Sequence, residues 1–147
     1  MTDITQNIAL GRIVELAALA AANDALIIVP LETSGIPSDA TLKDYDTLSD
    51  LLAGAANEQS TMGRKTLSAV TVTVDDTNDR TDVDCADIVW TAATGNAISK
   101  LQTGHDADTT AGTDANIIPL TCHDFSATPS SGDITAVVAT GGFFRAS

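Results

Sequence analysis

The chain has few aromatic residues, few basic ones and almost no glutamate. With three Phe, one Tyr and one Trp in 147 residues, it offers little for stacking on sugars. Seven Lys and Arg stand against twenty Asp and Glu, a formal charge of −13. Nucleic-acid affinity draws on basic groups that contact phosphate, so nucleic acid is excluded as a direct ligand. An anionic membrane surface is disfavoured for the same reason. A large charge of one sign keeps a free subunit soluble before assembly, and much of it reads as a solvated surface. Two cysteines, Cys85 and Cys122, are too few for a disulfide framework or a thiolate zinc site. They read as buried free thiols, with neighbours on adjacent strands as the alternative. A secretory leader is not expected: "MTDITQ" opens with an acid and carries no basic run. The longest apolar stretch, "LAALAAANDALIIVP", is broken by Asn23-Asp24, so no spanning helix is expected and synthesis in a reducing cytoplasm is the default.

Glutamate occurs only at Glu15, Glu32 and Glu58; the other acids are Asp. Asp favours turns and caps, whereas Glu favours helix interiors. Together with abundant Thr, this predicts short strands joined by many turns. The length and an apolar fraction of 44% suit a single domain spanning residues 1–147.

At the start, Asp3 and Gln6 have the spacing of a capping box, and Leu10, Ile13, Val14 and Ala17 follow at helical intervals. This predicts an amphipathic N-terminal helix or arm over residues 1–24, ending near Ala22. "ALIIVPLET" predicts a strand buried on both faces, with Pro30 placing at least its second half near a sheet edge. A short inserted helix is expected near 44–53, capped by Asp44 or Asp46, striped by Leu48, Leu51 and Leu52, and closed by Gly54. "AANEQSTMGRK" reads as a loop. From Thr66 the period becomes two: "TLSAVTVTVDD", "CADIVWTAA", "NAISKLQTG", "NIIPLTCHDF" and "DITAVVAT" read as strands between turn clusters. The fold class expected is mainly β, an antiparallel β-sandwich or barrel-like domain over 25–147 with an N-terminal helix.

The acidic run "DDTNDRTDVD" supplies oxygen ligands but lacks the Gly and Glu of an EF-hand loop, and Arg80 would pair with its neighbours. It reads as a solvated turn. His105 and His123, each followed by Asp, lack metal-ligand spacing and read as turn and loop residues. No nucleophile elbow, P-loop or dinucleotide fingerprint is present. No catalytic residue, metal or cofactor is therefore expected. Trp90 reads as a core residue.

In the second half the segments "ATGNAISKL" (Ala93 to Leu101), "DADTTAGTDANIIPLTCHDFSATP", "GDITAVV" and the closing "GGFFRAS" resemble a family of small structural proteins of tailed bacteriophages, usually encoded among the head genes. The likeness covers about residues 68–147 and is strongest in "ATGNAISKL" and "TDANIIPLT" (Thr113 to Thr121). It carries no catalytic motif. "QTGHD" after Leu101 departs from the more hydrophobic continuation expected of that strand, read as an edge. The resemblance implies a virion component of the capsid decoration, or cement, type. Such proteins commonly form trimers on the outside of the shell and clamp neighbouring capsomers. Its partners would be the major capsid protein and further copies of itself, and its place the capsid surface after synthesis in the host cytoplasm. The alternatives are a tail or head-fibre component that contacts the host, and a carbohydrate-binding module on the virion.

Two groups of residues are the candidate contacts. Phe143, Phe144 and Arg145 form one patch, with one ring expected to close the sandwich and the other to face a neighbour. The segment from His105 through Asp106 and Asp108 to Asp114 forms the second.

Overall fold

Alternation of side chains along one strand, Ala25–Glu32, organises the molecule. The computed structural model describes residues 3–19, 23–54 and 56–147. In chain order these form β1 (Ile4–Thr5), α1 (Ile13–Ala18), β2 (Ala25–Glu32), α2 (Asp39–Leu42), α3 (Leu48–Ala53), β3 (Lys65–Thr66), β4 (Thr71–Asp75), β5 (Arg80–Asp84), β6 (Ile88–Trp90), β7 (Ile98–Asp106), β8 (Ile117–Ala127), β9 (Ile134–Ala136) and β10 (Phe144–Ala146). All strand pairs are antiparallel. The main sheet has the order β1-β8-β7-β2-β3, beside a three-stranded sheet β10-β5-β4 and a ribbon β6-β9. The fold is mainly β and sandwich-like, as its composition predicts.

Strand β2 is apolar throughout because both of its faces are covered. Ile27, Val29 and Leu31 pack against Leu42 of α2 and Leu48 and Leu51 of α3. Leu26 and Ile28 point the other way, towards Ile13 and Leu16 of α1 and towards Val83, Ile88, Trp90 and Ala136 of the smaller sheets. The main sheet is thus the middle layer between two cores. Strand β3 pairs only with Ile27 and Ile28. The outer side of β2 beyond them holds the isolated bridge Leu31–Glu58, so Pro30 sits where no ladder donor is required. Trp90 is 1% exposed, and its indole N–H donates to the Gly63 carbonyl at 2.9 Å. Cys85 and Cys122 are free and buried.

Several expectations are corrected. The predicted N-terminal helix is not continuous: Ile4 and Thr5 pair with Cys122 and Thr121 at the edge of the main sheet, and only Ile13–Ala18 is α-helical. Asp3 does not cap a helix; its carboxylate accepts from the Asp124 N–H at 2.8 Å. A short 3-10 turn, Asn7–Ala9, and Gly11 at φ 76° interrupt the helical periodicity. The expected helix end at Ala20–Ala22 lies outside the described residues. The inserted helix α3 is capped by Thr47, whose hydroxyl accepts from Asp50 N–H at 3.0 Å, in place of Asp44 or Asp46. A further short helix, α2, precedes it with Ser38 as its cap. The "QTGHD" strand is not an edge: β7 is the centre of the main sheet, and Gln102, Thr103 and His105 are buried there. Strand β5 falls inside what reads as a turn cluster.

Several polar groups at the sheet centre are matched to one another, which offsets the cost of their burial. Gln6 donates to Gln102 at 2.9 Å, and the Thr103 and Thr121 hydroxyls meet at 2.6 Å. The Lys100 side chain is 0% exposed and lies 2.6 Å from Asp124 on β8 and 3.1 Å from Asp39 on α2. One ammonium thus ties the main sheet to the helical layer.

Candidate interaction site

The closing segment is placed by backbone pairing to β5. Phe144, Arg145 and Ala146 lie opposite Val83, Asp82 and Thr81, and the Phe143 N–H donates to the Val83 carbonyl at 3.0 Å. Gly142 makes the turn into this strand at φ 80°, and a Cβ there would collide with the Val83 carbonyl. Gly142 is therefore a turn that only glycine fits. Gly142→Ala combines a left-handed alanine with a backbone clash. It is expected to destabilise the protein by about 2 kcal/mol or more, read as a lowered urea midpoint.

Both rings of the Phe pair are half-buried and pack against the core that contains Leu101 and Trp90. Phe143 sits in the bend before β10, outside strict strand alternation, so the two rings are not divided between core and solvent. The Phe143 ring meets His123 edge-on, with centroids 6.4 Å apart and planes at 88°. The Arg145 guanidinium is engaged within the chain, at 2.6 Å from Asp82. Arg80 lies 3.3 Å from the same Asp82 and 3.2 Å from Asp75. These pairs align the β4–β5–β10 sheet, which explains why a charged sequence such as "RTDVD" forms a strand.

The second predicted patch is largely consumed by the fold. His105 is buried on β7, with Nε2 3.2 Å from Asp24. Asp114 holds Arg64 through two contacts at 2.6 and 2.9 Å, and Glu58 grips the same guanidinium. Asp106 accepts from Asp108 N–H, and Asp108 accepts from Thr110 and Ala111. These bonds close the loop on itself. Among the described residues no hydrogen bond, ion pair or shared cavity links this loop to Phe143–Arg145. His105 and His123 both lie on strands, which corrects their reading as turn and loop residues.

What the closing segment does form is one wall of a cavity of about 260 Å³. Its apolar lining includes Ile28, Leu67, Ile88, Leu101, Phe125 and Phe143; Asp3, His123 and Asp124 supply a polar side. His123 is held from both ends, by Thr121 Oγ1 at 2.7 Å and by Asp3 at 3.2 Å. No protein-family model, curated protein or solved structure matches the chain.

Sequence reasoning missed His123 and Phe125 as site residues because of a bulge. Between Pro119 and Cys122, β8 advances three residues while β7 advances two, Gly104 to Gln102. The extra residue moves the inward face from even to odd positions. Leu120 and Phe125 consequently pack on the same core. The one signal in "PLTCHDF" is Pro119, which borders the shift, since proline inside a sheet is confined to edges, strand starts or bulges.

The charged groups of this region fix its response to pH. Burial would raise the Asp3 carboxyl, but the Asp124 N–H and His123 outweigh it and hold it below the usual value. Asp114 is lowered by Arg64, Asp82 by Arg145, Asp75 by Asn78 and Asp108 by Thr110. Lowered folded values contribute stability above the ordinary 3.8 that is lost as the pH falls through them. Burial raises the thiols of Cys85 to about 11 and of Cys122 to about 12. The unfolded chain ionises them first, so stability is also lost as the pH rises past the ordinary 9.0. A urea midpoint that is flat near neutrality and falls on both the acid and alkaline sides is the expected profile.

Proposed function

We propose that the protein is a non-enzymatic virion structural protein, a capsid decoration (cement) subunit. It binds the outer surface of a bacteriophage head as a homotrimer and stabilises contacts between capsomers of the major capsid protein. The reading starts from the resemblance over residues 68–147. The observation that carries it is that Gly142 and Phe143 of the closing "GGFFRAS" segment help to wall a largely apolar concavity of about 260 Å³. The charged and imidazole groups are meanwhile occupied in holding strands together. Arg64, Arg80, Lys100 and Arg145, four of the seven basic residues, are ion-paired within the chain. His105 and His123 bridge segments distant in sequence. Outer strands β4 and β10 leave backbone edges for contacts between copies, and Val74 on β4 is 67% exposed.

A subunit bound in many symmetric copies needs only modest contacts each, because many weak contacts act together on the lattice. A carbohydrate-binding role is less well supported: Trp90 is enclosed, and the Tyr45 hydroxyl donates to the Gly54 carbonyl. The test is a copy count. Quantitative mass analysis of purified particles is expected to show many copies per head; a few copies at one vertex would replace this reading with the tail or fibre role.

A further inference from the structure

We infer that the cavity beside Phe143 receives an apolar side chain flanked by Lys or Arg on an extended segment of the partner protein. The inference rests on the reading of the protein as a binding subunit and names the chemistry of what it binds.

Size comes first. At about 260 Å³ the cavity falls below the ~300–1,000 Å³ of typical small-molecule and cofactor sites. It suits one branched aliphatic or aromatic side chain. Its deep walls are apolar and come from three different sheets: Ile28 and Leu101 from the main sheet, Ile88 and Ala136 from the β6–β9 ribbon, and Phe143 leading into β10. A cleft between sheets is held open by their separate frameworks, so an entering side chain finds a preformed seat. Val137, at the mouth, is 75% exposed and adds apolar surface outside.

Charge decides the flanking residues. Asp3 and Asp124 line the cavity, and the Asp3 side chain is 64% exposed. The exposed Asp87 lies next to the lining, where its carboxylate accepts from the N–H of the lining residue Val138 at 2.8 Å. No Lys or Arg is among the lining residues; Lys100 behind the wall pairs with Asp124, so Asp3 and Asp87 carry the charge offered to a partner. A second copy of this chain would bring another −13 to a mouth that is already anionic. A basic segment is complementary to it, and such complementarity sets both orientation and encounter rate.

Two peptides of equal length test this against the intact protein: acetyl-Lys-Arg-Leu-Lys-Gly-amide and acetyl-Glu-Glu-Leu-Glu-Gly-amide. Amide resonances of the ¹⁵N-labelled protein are followed during titration. The basic peptide is expected to shift Val138, Gly142 and Phe143, to bind about tenfold more tightly than the acidic one, and to weaken with added salt. Ala139→Trp, an exposed position on the cavity wall, is expected to abolish those shifts by filling the mouth. Asp87→Asn keeps the acceptor for Val138 and is expected to weaken binding several-fold.

No shift at these amides, or equal affinity for the two peptides, overturns the inference. So do concentration-dependent shifts at the same amides without peptide, which would seat a second copy there. The copy count on particles is independent of all these outcomes. Many copies per head without peptide binding would sink this inference alone, and peptide binding with few copies would sink only the decoration reading.

Discussion

Lys100→Ala is expected to lower the free energy of unfolding by about 3–5 kcal/mol. Two effects combine. The side chain is 0% exposed, so truncating its four-carbon stem leaves a cavity between β7 and α2. The same change leaves Asp39 and Asp124 facing the vacated position without their shared cation. Those carboxylates are 23% and 37% exposed, so water reaches them and limits the electrostatic part. The stem cavity alone accounts for the lower end of the range. Lys100→Met separates the two effects, because it refills the stem without the charge; about half of the loss is expected to return. Urea titrations with an unchanged slope are the measurement, and a loss under about 1 kcal/mol for Lys100→Ala would show that the clamp contributes nothing. Burial would lower the Lys100 pKa, but hydrogen bonds to Asp124 and Asp39 outweigh it and raise the value above 10.5. The contribution of the clamp is therefore present at neutral pH and fades only as the pH rises beyond that ordinary value.

Trp90→Ala is expected to cost about 3–5 kcal/mol, at the upper end for large-to-small changes. The ring is the largest fully buried side chain among the described residues. It sits among Leu26, Ile28, Leu101 and Ile88 in the core that joins the main sheet to the smaller ones. Its indole N–H also holds Gly63 at the end of the loop that precedes β3. Trp90→Phe keeps most of the apolar volume but leaves the Gly63 carbonyl without its donor. A smaller loss of about 1–3 kcal/mol is expected for it. Equal losses for the two variants would mean that the hydrogen bond, not the packing, dominates at this position. As the single tryptophan, Trp90 reports its own environment, so fluorescence follows unfolding of the parent protein, and circular dichroism follows the variants.

How much of this was legible in the sequence depended on whether a signal was local. The β2 run was legible because a strand covered on both faces must be apolar throughout. The strands with Ile, Val and Thr after residue 66 were legible by residue type and spacing. The N-terminal segment was not. Its capping-box spacing and helical stripe are sound local signals, but Ile4 and Thr5 gain more by pairing with Cys122 and Thr121, and nothing near residue 4 announces that partner. Strand β5 was hidden because its charges are neutralised across strands, Asp82 by Arg145 of β10 and Arg80 by Asp75 of β4, and a single segment does not reveal its cross-strand neighbours. In the candidate site, Gly142 and Phe143 line the cavity. The division of the rings between core and solvent did not follow, because Phe143 precedes the strand. In the loop from His105 to Asp114 the acids engage Arg64 and the loop's own backbone, partners that the local sequence does not announce.

Strand β2 carries a consequence for how the molecule comes apart. Ile27, Val29 and Leu31 belong to one core, and Leu26 and Ile28 to the other. Neither core can open while the other keeps its share of the same eight-residue strand in place. The helical layer and the small sheets are therefore coupled through a common spine and should melt in one transition. In hydrogen exchange, the amides of Ile27 to Val29 should be the slowest in the protein and should exchange only when the whole chain unfolds.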